Sequence, residues 1–145
     1  MPAGLLRRLG ALLYDSLLLG AVLMIATALF LPLTGGLAIT SAGNPLLAWT
    51  YRGVLVGLVV LFYGSFWTRS GQTLGLASWR LRLEREDGGA LTWGDTLRRL
   101  AAAVLSLLAA GLGWIWIVLD PGKRAWHDRL SNTRVVVVPG PQRGA

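Results

Sequence analysis

Three apolar runs govern what this chain can fold into: Leu9–Leu31, Leu46–Trp67 and Leu100–Leu119. The first carries one charge, Asp15, the second only Arg52, and the third none. A helix needs about 20 apolar residues to cross the roughly 30 Å of hydrocarbon in a bilayer, and each run is near that length. A core helix of a soluble protein would turn a polar residue outward every third or fourth position, and these runs do not. The composition agrees: 54% hydrophobic and 14% charged, where soluble domains hold about a quarter charged residues. The expectation is a single integral membrane domain over residues 1–145, in the cytoplasmic or inner membrane.

Fourteen Lys and Arg stand against seven Asp and Glu. These basic residues flank the apolar runs, which is the positive-inside pattern, so lipid and its anionic headgroups are the expected partners and nucleic acid is not. Arg7 and Arg8 then put the N-terminus on the cytoplasmic side. The opening imitates a signal peptide down to Ala26-Thr27-Ala28, but Asp15 and the length of the run favour a retained first helix. There is no cysteine, which excludes disulfides and thiolate metal sites. No nucleophile elbow, phosphate loop or zinc-helix motif occurs, so neither an enzyme nor a cofactor is expected.

Pro32 ends the first helix, and the uncharged, glycine-bearing segment Leu33–Asn44 reads as an external loop. Pro45 suits the first turn of the second helix. Trp49 and Tyr51 at its outer end and Tyr63 and Trp67 at its inner end would form aromatic belts. Arg52 is expected to snorkel outward. Gly53 and Gly57 make a GxxxG pair that permits close helix approach or dimerisation.

A polar stretch, residues 70–96, follows. Trp79–Glu86 alternates apolar and charged residues as a half-buried strand does, and Ala90-Leu91-Thr92 could return as a second strand after Asp87-Gly88-Gly89. Thr92-Trp93-Gly94-Asp95 has the form of a capping box. Arg134–Val138 is another strand candidate. The third apolar run poses a conflict. As a simple span it would leave a basic tail, residues 121–145, on the outer side against the orientation rule. Gly111-Leu112-Gly113 could instead break it into two limbs that enter and leave on one face. The broken, re-entrant geometry with a cytoplasmic tail is favoured, and the spanning one stays open. The fold class is therefore an all-α integral membrane protein with two transmembrane helices, a third broken or spanning segment, and a small cytoplasmic β element.

Arg8–Asp15, Gly71-Gln72-Thr73-Leu74-Gly75, Asp87-Gly88-Gly89 and His127–Thr133 occur in this order. Together they resemble the RDD family of bacterial membrane proteins, named for one arginine and two aspartates. The resemblance implies that Arg8, Asp15 and Asp128 are the namesake positions. Two departures are Leu76, where many relatives carry lysine, and Ser131-Asn132, where an Ala-Gly pair is common. The family implies a transport protein of unsettled substrate, some members having been proposed to exchange sodium or other monovalent cations for protons.

Asp15 lies about 10 Å along the helix from Arg8, two turns away on roughly the same face, so the two cannot touch directly. A carboxylate at that depth costs a few kcal/mol unless it is partnered or wet. It is either a proton or cation site or a structural contact, with the tail or the re-entrant segment as the expected partner. Arg8 is equally a namesake residue and an ordinary anchor at the membrane surface. Asp128 is expected either to close a polar cluster with Arg8, Asp15, Arg98 or Arg99, or to pin the tail to the sheet. His127 could relay protons, though a surface histidine is the favoured reading. Asp120-Pro121-Gly122 reads as a turn. The functional expectation is a small, homo-oligomeric transporter, with monovalent cations and protons as its cargo. The alternative is a scaffold or accessory subunit that binds anionic lipid or a partner protein.

Overall fold

The computed structural model describes residues 3–40, 42–109 and 111–139. Ser41, and the end of the basic tail with Arg143, lie outside the described residues. Helix α1 runs Leu5–Phe30, four residues earlier than the apolar run begins, because Arg7 and Arg8 extend its first turn. A short 3-10 helix, Leu31–Thr34, follows with Pro32 inside it, and Gly35 leaves it at φ 63°. Helix α2 spans Pro45–Ser70; the Asn44 side chain accepts from the Leu47 N–H at its start, and Gly71 ends it at φ 68°. These caps satisfy backbone groups that helix ends otherwise leave unpaired.

Both helices are long and apolar enough to cross a membrane, and little of either is buried within the chain. Leu17, Met24, Leu29, Val56 and Leu61 stand exposed along them, a larger apolar surface than soluble monomers carry. At the end of the pair nearer the α1–α2 connection, Tyr51 joins α1 to α2, with its hydroxyl 2.9 Å from Thr27 Oγ1 and its ring edge-on to Phe30. Trp49 is exposed there, and Arg52 lies 5.1 Å above its ring rather than reaching away alone.

The short elements over residues 74–85 and 126–137 gather at the other, basic end, and the helix over residues 93–108 starts there and runs back along α2. Helix α3 (Leu74–Ser78) was not expected; Thr73 caps it by accepting from the Leu76 N–H. Strand β1 (Leu81–Arg85) pairs antiparallel with β2 (Thr133–Val137), Leu83 facing Val135. The expected return strand at Ala90-Leu91-Thr92 does not form. Thr92 is instead the N-cap of α4 (Trp93–Leu108), where the capping box with Asp95 is present, and the C-terminal valine run supplies β1 with its partner. The sheet edges are not left bare: Leu83 N–H donates to Gly71 O, and Ala3 N–H donates to Val135 O at 3.1 Å. The chain's beginning is thus tied to its last strand.

The third apolar run is broken, as its glycines suggest. Helix α4 ends at Leu108, Gly111 adopts φ 75°, and α5 (Leu112–Leu119) follows. A Cβ on Gly113 would collide with Ser106 of α4, so the two limbs meet where the side chain is smallest. Asp120 then opens the expected turn, and α6 (Trp126–Leu130) returns the chain to Arg99 near the start of α4. The core that results is small: Ala3, Ala11, Trp67, Leu81, Leu83 and Val135.

Candidate functional site

Asp128, on α6, is fully buried and joins three parts of the chain. One carboxylate oxygen takes Nη1 of Arg8 from α1 and, at 3.0 Å, the Ala125 N–H at the start of α6. The other accepts from Arg99 Nη1 of α4 at 2.5 Å. The same Arg99 atom donates to Thr133 Oγ1 on β2 at 2.7 Å, and Ser131 Oγ lies 2.8 Å from Thr133 Oγ1. Arg8 is held further by Ala3 O through Nε and by Lys123 O through Nη2. Asp128 therefore both closes a cluster and caps its own helix; the two expectations for it are compatible. Burial alone would raise its pKa, but the Arg99 and Arg8 guanidiniums outweigh that and bring it down to about 2.

Asp15 finds a partner that neither the tail nor the broken segment supplies. Its carboxylate accepts from Thr73 Oγ1 at 2.5 Å and from the Gly75 N–H at 2.9 Å, at the start of α3. The glycine-bearing motif at residues 71–75 is thus the cradle of the first-helix carboxylate. Gly75 is needed there, because a Cβ would run into Ala11 O and approach the Asp15 carboxylate to 2.8 Å. Arg98 stays out of the cluster and is exposed, one residue out of phase with Arg99 on α4. Gly53 and Gly57 pack against nothing within the chain, their would-be Cβ atoms meeting open space. The close approaches occur elsewhere, with Trp79 over Gly10 and Trp93 over Gly64.

The two carboxylates do not touch, but a cavity connects their surroundings. About 70 Å³ in volume, it is lined by Asp15, Arg8, Tyr63, Trp67, Arg99 and His127 among others, room for a few water-sized species. Leu76 stands on its wall, so no charge enters from α3. Trp67 does not stand free at the inner end of α2: it is 8% exposed and lies under Arg99, whose guanidinium carbon is 5.3 Å from the ring centre.

His127 is not a surface residue. It is 2% exposed, with Nε2 3.7 Å from Asp128 Oδ1. Burial, followed by the positive charge of Arg99, lowers its pKa from 6.5 to about 3. The unfolded chain takes up a proton below about pH 6.5 that the folded chain refuses until near pH 3, so stability falls as pH drops through that window. Acidification from pH 7 to 5 is expected to cost about 2 kcal/mol, read as thermal unfolding in detergent. His127→Gln should flatten this dependence; an unchanged slope would show that another group causes it.

Asp120 was expected only as part of a turn, and its pairing was not foreseen. It is 6% exposed, pairs with Arg129 and accepts from the Arg124 N–H at 2.8 Å, pinning the turn after α5. The spacing of Asp120 and Arg124, one helical turn apart, was the available signal. Ser131 and Thr133 were missed as network members because hydroxyls carry no pattern of their own. Asn132 sits at φ 51°, a left-handed conformation that asparagine tolerates. Among the described residues no group of three His, Asp or Glu is placed to hold a metal.

A family model described as the RDD family matches residues 2–132. No curated protein and no solved structure matches the chain.

Proposed function

We propose that this chain, which belongs to the RDD family, is a small multi-pass transport protein of the bacterial cytoplasmic membrane with its N-terminus inside. Its working group is the Asp15 carboxylate, which alternates between a protonated and a monovalent-cation-bound state. The observation that carries this reading is the cavity that Asp15 shares with Arg8, Tyr63, Arg99 and His127. An ionisable group on a membrane-length helix and beside a cavity of this size has access to water or an ion without facing lipid. Thr73 Oγ1 and the Gly75 N–H fix the carboxylate's position, so its charge is presented at one point of the cavity wall. Asp128 offsets part of the positive field of Arg8 and Arg99, which would otherwise repel an entering cation. Two crossing helices do not enclose a pathway, so the working unit is a homo-oligomer, for which the open Gly53 and Gly57 face of α2 is available.

The test is cation-dependent proton flux in proteoliposomes. The wild type should carry flux and Asp15→Asn should abolish it. Equal flux from the two would remove Asp15 from the mechanism, and no flux from either would remove transport.

A second reading is a non-transporting scaffold or accessory subunit whose basic face holds anionic lipid or a partner protein. It is favoured by the Asp128 carboxylate, each of whose oxygens is already engaged by an arginine. Such a group works as a fastener. Under this reading Asp15→Asn lowers stability and there is no flux to lose.

A further inference from the structure

We propose that an acyl chain of an anionic phospholipid occupies the groove between α2 and α4, with an ester carbonyl of that lipid bonded to Trp67. The groove is about 580 Å³ and almost wholly apolar. Val56, Val59 and Val60 form one wall, and Leu100, Val104 and Leu107 the other. From Val56 to Trp67 it extends about 16 Å at the rise of an α-helix. Its character changes at one end, where Tyr63, Trp67, Arg99 and His127 belong both to the groove and to the cavity beside Asp15. That end lies one turn from the basic terminus of α2 at Arg69 and Ser70. The polar end is therefore at headgroup level and the apolar end is deeper, as in a bilayer lipid.

Trp67 specifies what the polar end takes. Its Nε1–H is buried and meets no acceptor among the described residues. An unpaired buried donor is unfavourable, so the site calls for an oxygen acceptor. Arg99 adds positive charge beside it, since the single Asp128 carboxylate is shared by two arginines. Among the described residues, Arg99 hydrogen-bonds through Nη1 alone, which leaves its other N–H groups for an anionic headgroup. A transmembrane helix from a second copy would fill the apolar part but offers no acceptor, because its backbone carbonyls are already bonded within the helix. A phospholipid supplies the tail, the carbonyl and the negative charge together. The site stands whether or not Asp15 carries ions.

The full chain is reconstituted in phosphatidylcholine vesicles that contain phosphatidylglycerol with a diazirine on one acyl chain. After illumination, labelled peptides are mapped by mass spectrometry. Label should concentrate on residues 56–67 and 97–107 and be displaced by unlabelled phosphatidylglycerol. Trp67→Phe should weaken that displacement by about five-fold, the equivalent of one hydrogen bond. Ala103→Phe, which narrows the groove, should abolish the groove label. The wild-type competition decides the matter even if that variant fails to fold. Label spread evenly over Leu17, Leu29 and Val118 would mean ordinary surrounding lipid and overturn the proposal. So would an unlabelled groove in which Val104→Cys forms a disulfide between two copies.

Discussion

Asp128→Asn is expected to destabilise the folded protein by about 3–5 kcal/mol, the cost of leaving buried charges without their partner. The size follows from the number of charges stranded. Arg8 and Arg99 are both buried, and Asp128 is the acidic group that pairs with each. Asparagine keeps the shape and one acceptor oxygen, so the Ala125 N–H can still be met, but no negative charge remains. The damage should not stay local. Arg8 holds the entrance of α1, Arg99 the first turns of α4, and Thr133 the last strand. The check is thermal unfolding in detergent beside Asp87→Asn, whose exposed side chain pairs with Arg85 and accepts from the Gly89 N–H within a turn. Exposed pairs of that kind contribute little. Equal melting of the two variants would contradict the role given to Asp128.

Gly75→Ala should be the other severe change, costing about 1–3 kcal/mol as overpacking. The added methyl meets Ala11 O, which is helix backbone and cannot turn aside, and presses on the Asp15 carboxylate. Helix α3 must then back away from α1, and the Gly75 N–H loses its acceptor on Asp15. Gly20→Ala, in the middle of α1, provides the opposite sign. Its Cβ would enter open space, and in the middle of a helix alanine is favoured over glycine by about 0.5–1 kcal/mol. Thermal unfolding of both variants in one detergent checks the pair. A Gly75→Ala protein as stable as wild type would mean that α3 does not lie against Asp15.

What could be read from the residues was local. Asn44-Pro45, Thr92 with Asp95, and Gly111 act within a few positions of themselves, and each does in the fold what its chemistry suggested. Both strands were legible too, from alternation in one segment and a valine run in the other, although β1 was expected to pair with the nearby Ala90-Leu91-Thr92 and pairs with β2 instead. Partners across the chain were not legible. Asp15 meets Gly75 sixty positions away and Arg8 meets Asp128 across 120, and no local pattern ranks one distant donor above another. The identity of Asp15's partner was therefore misplaced onto the tail, although its need for one was evident from its depth in an apolar run. His127 and Trp67 were misread for a related reason. Both residue types suit a surface as well as an interior, and only the closure of α6 and α4 over β2 and α2 decides between them.

Arg8 can reach Asp128 only where α1 and α6 start on one side and the broken third segment returns to where it began. The chain has no native cysteine, so single cysteines at Arg7, Arg134 and Thr40, all exposed, report their side by reaction with an impermeant maleimide in sealed vesicles. Arg7→Cys and Arg134→Cys should react from the same side and Thr40→Cys from the opposite one. Reaction of Arg134→Cys from the side of Thr40 would mean that the third segment spans the membrane and that Arg8 and Asp128 never meet.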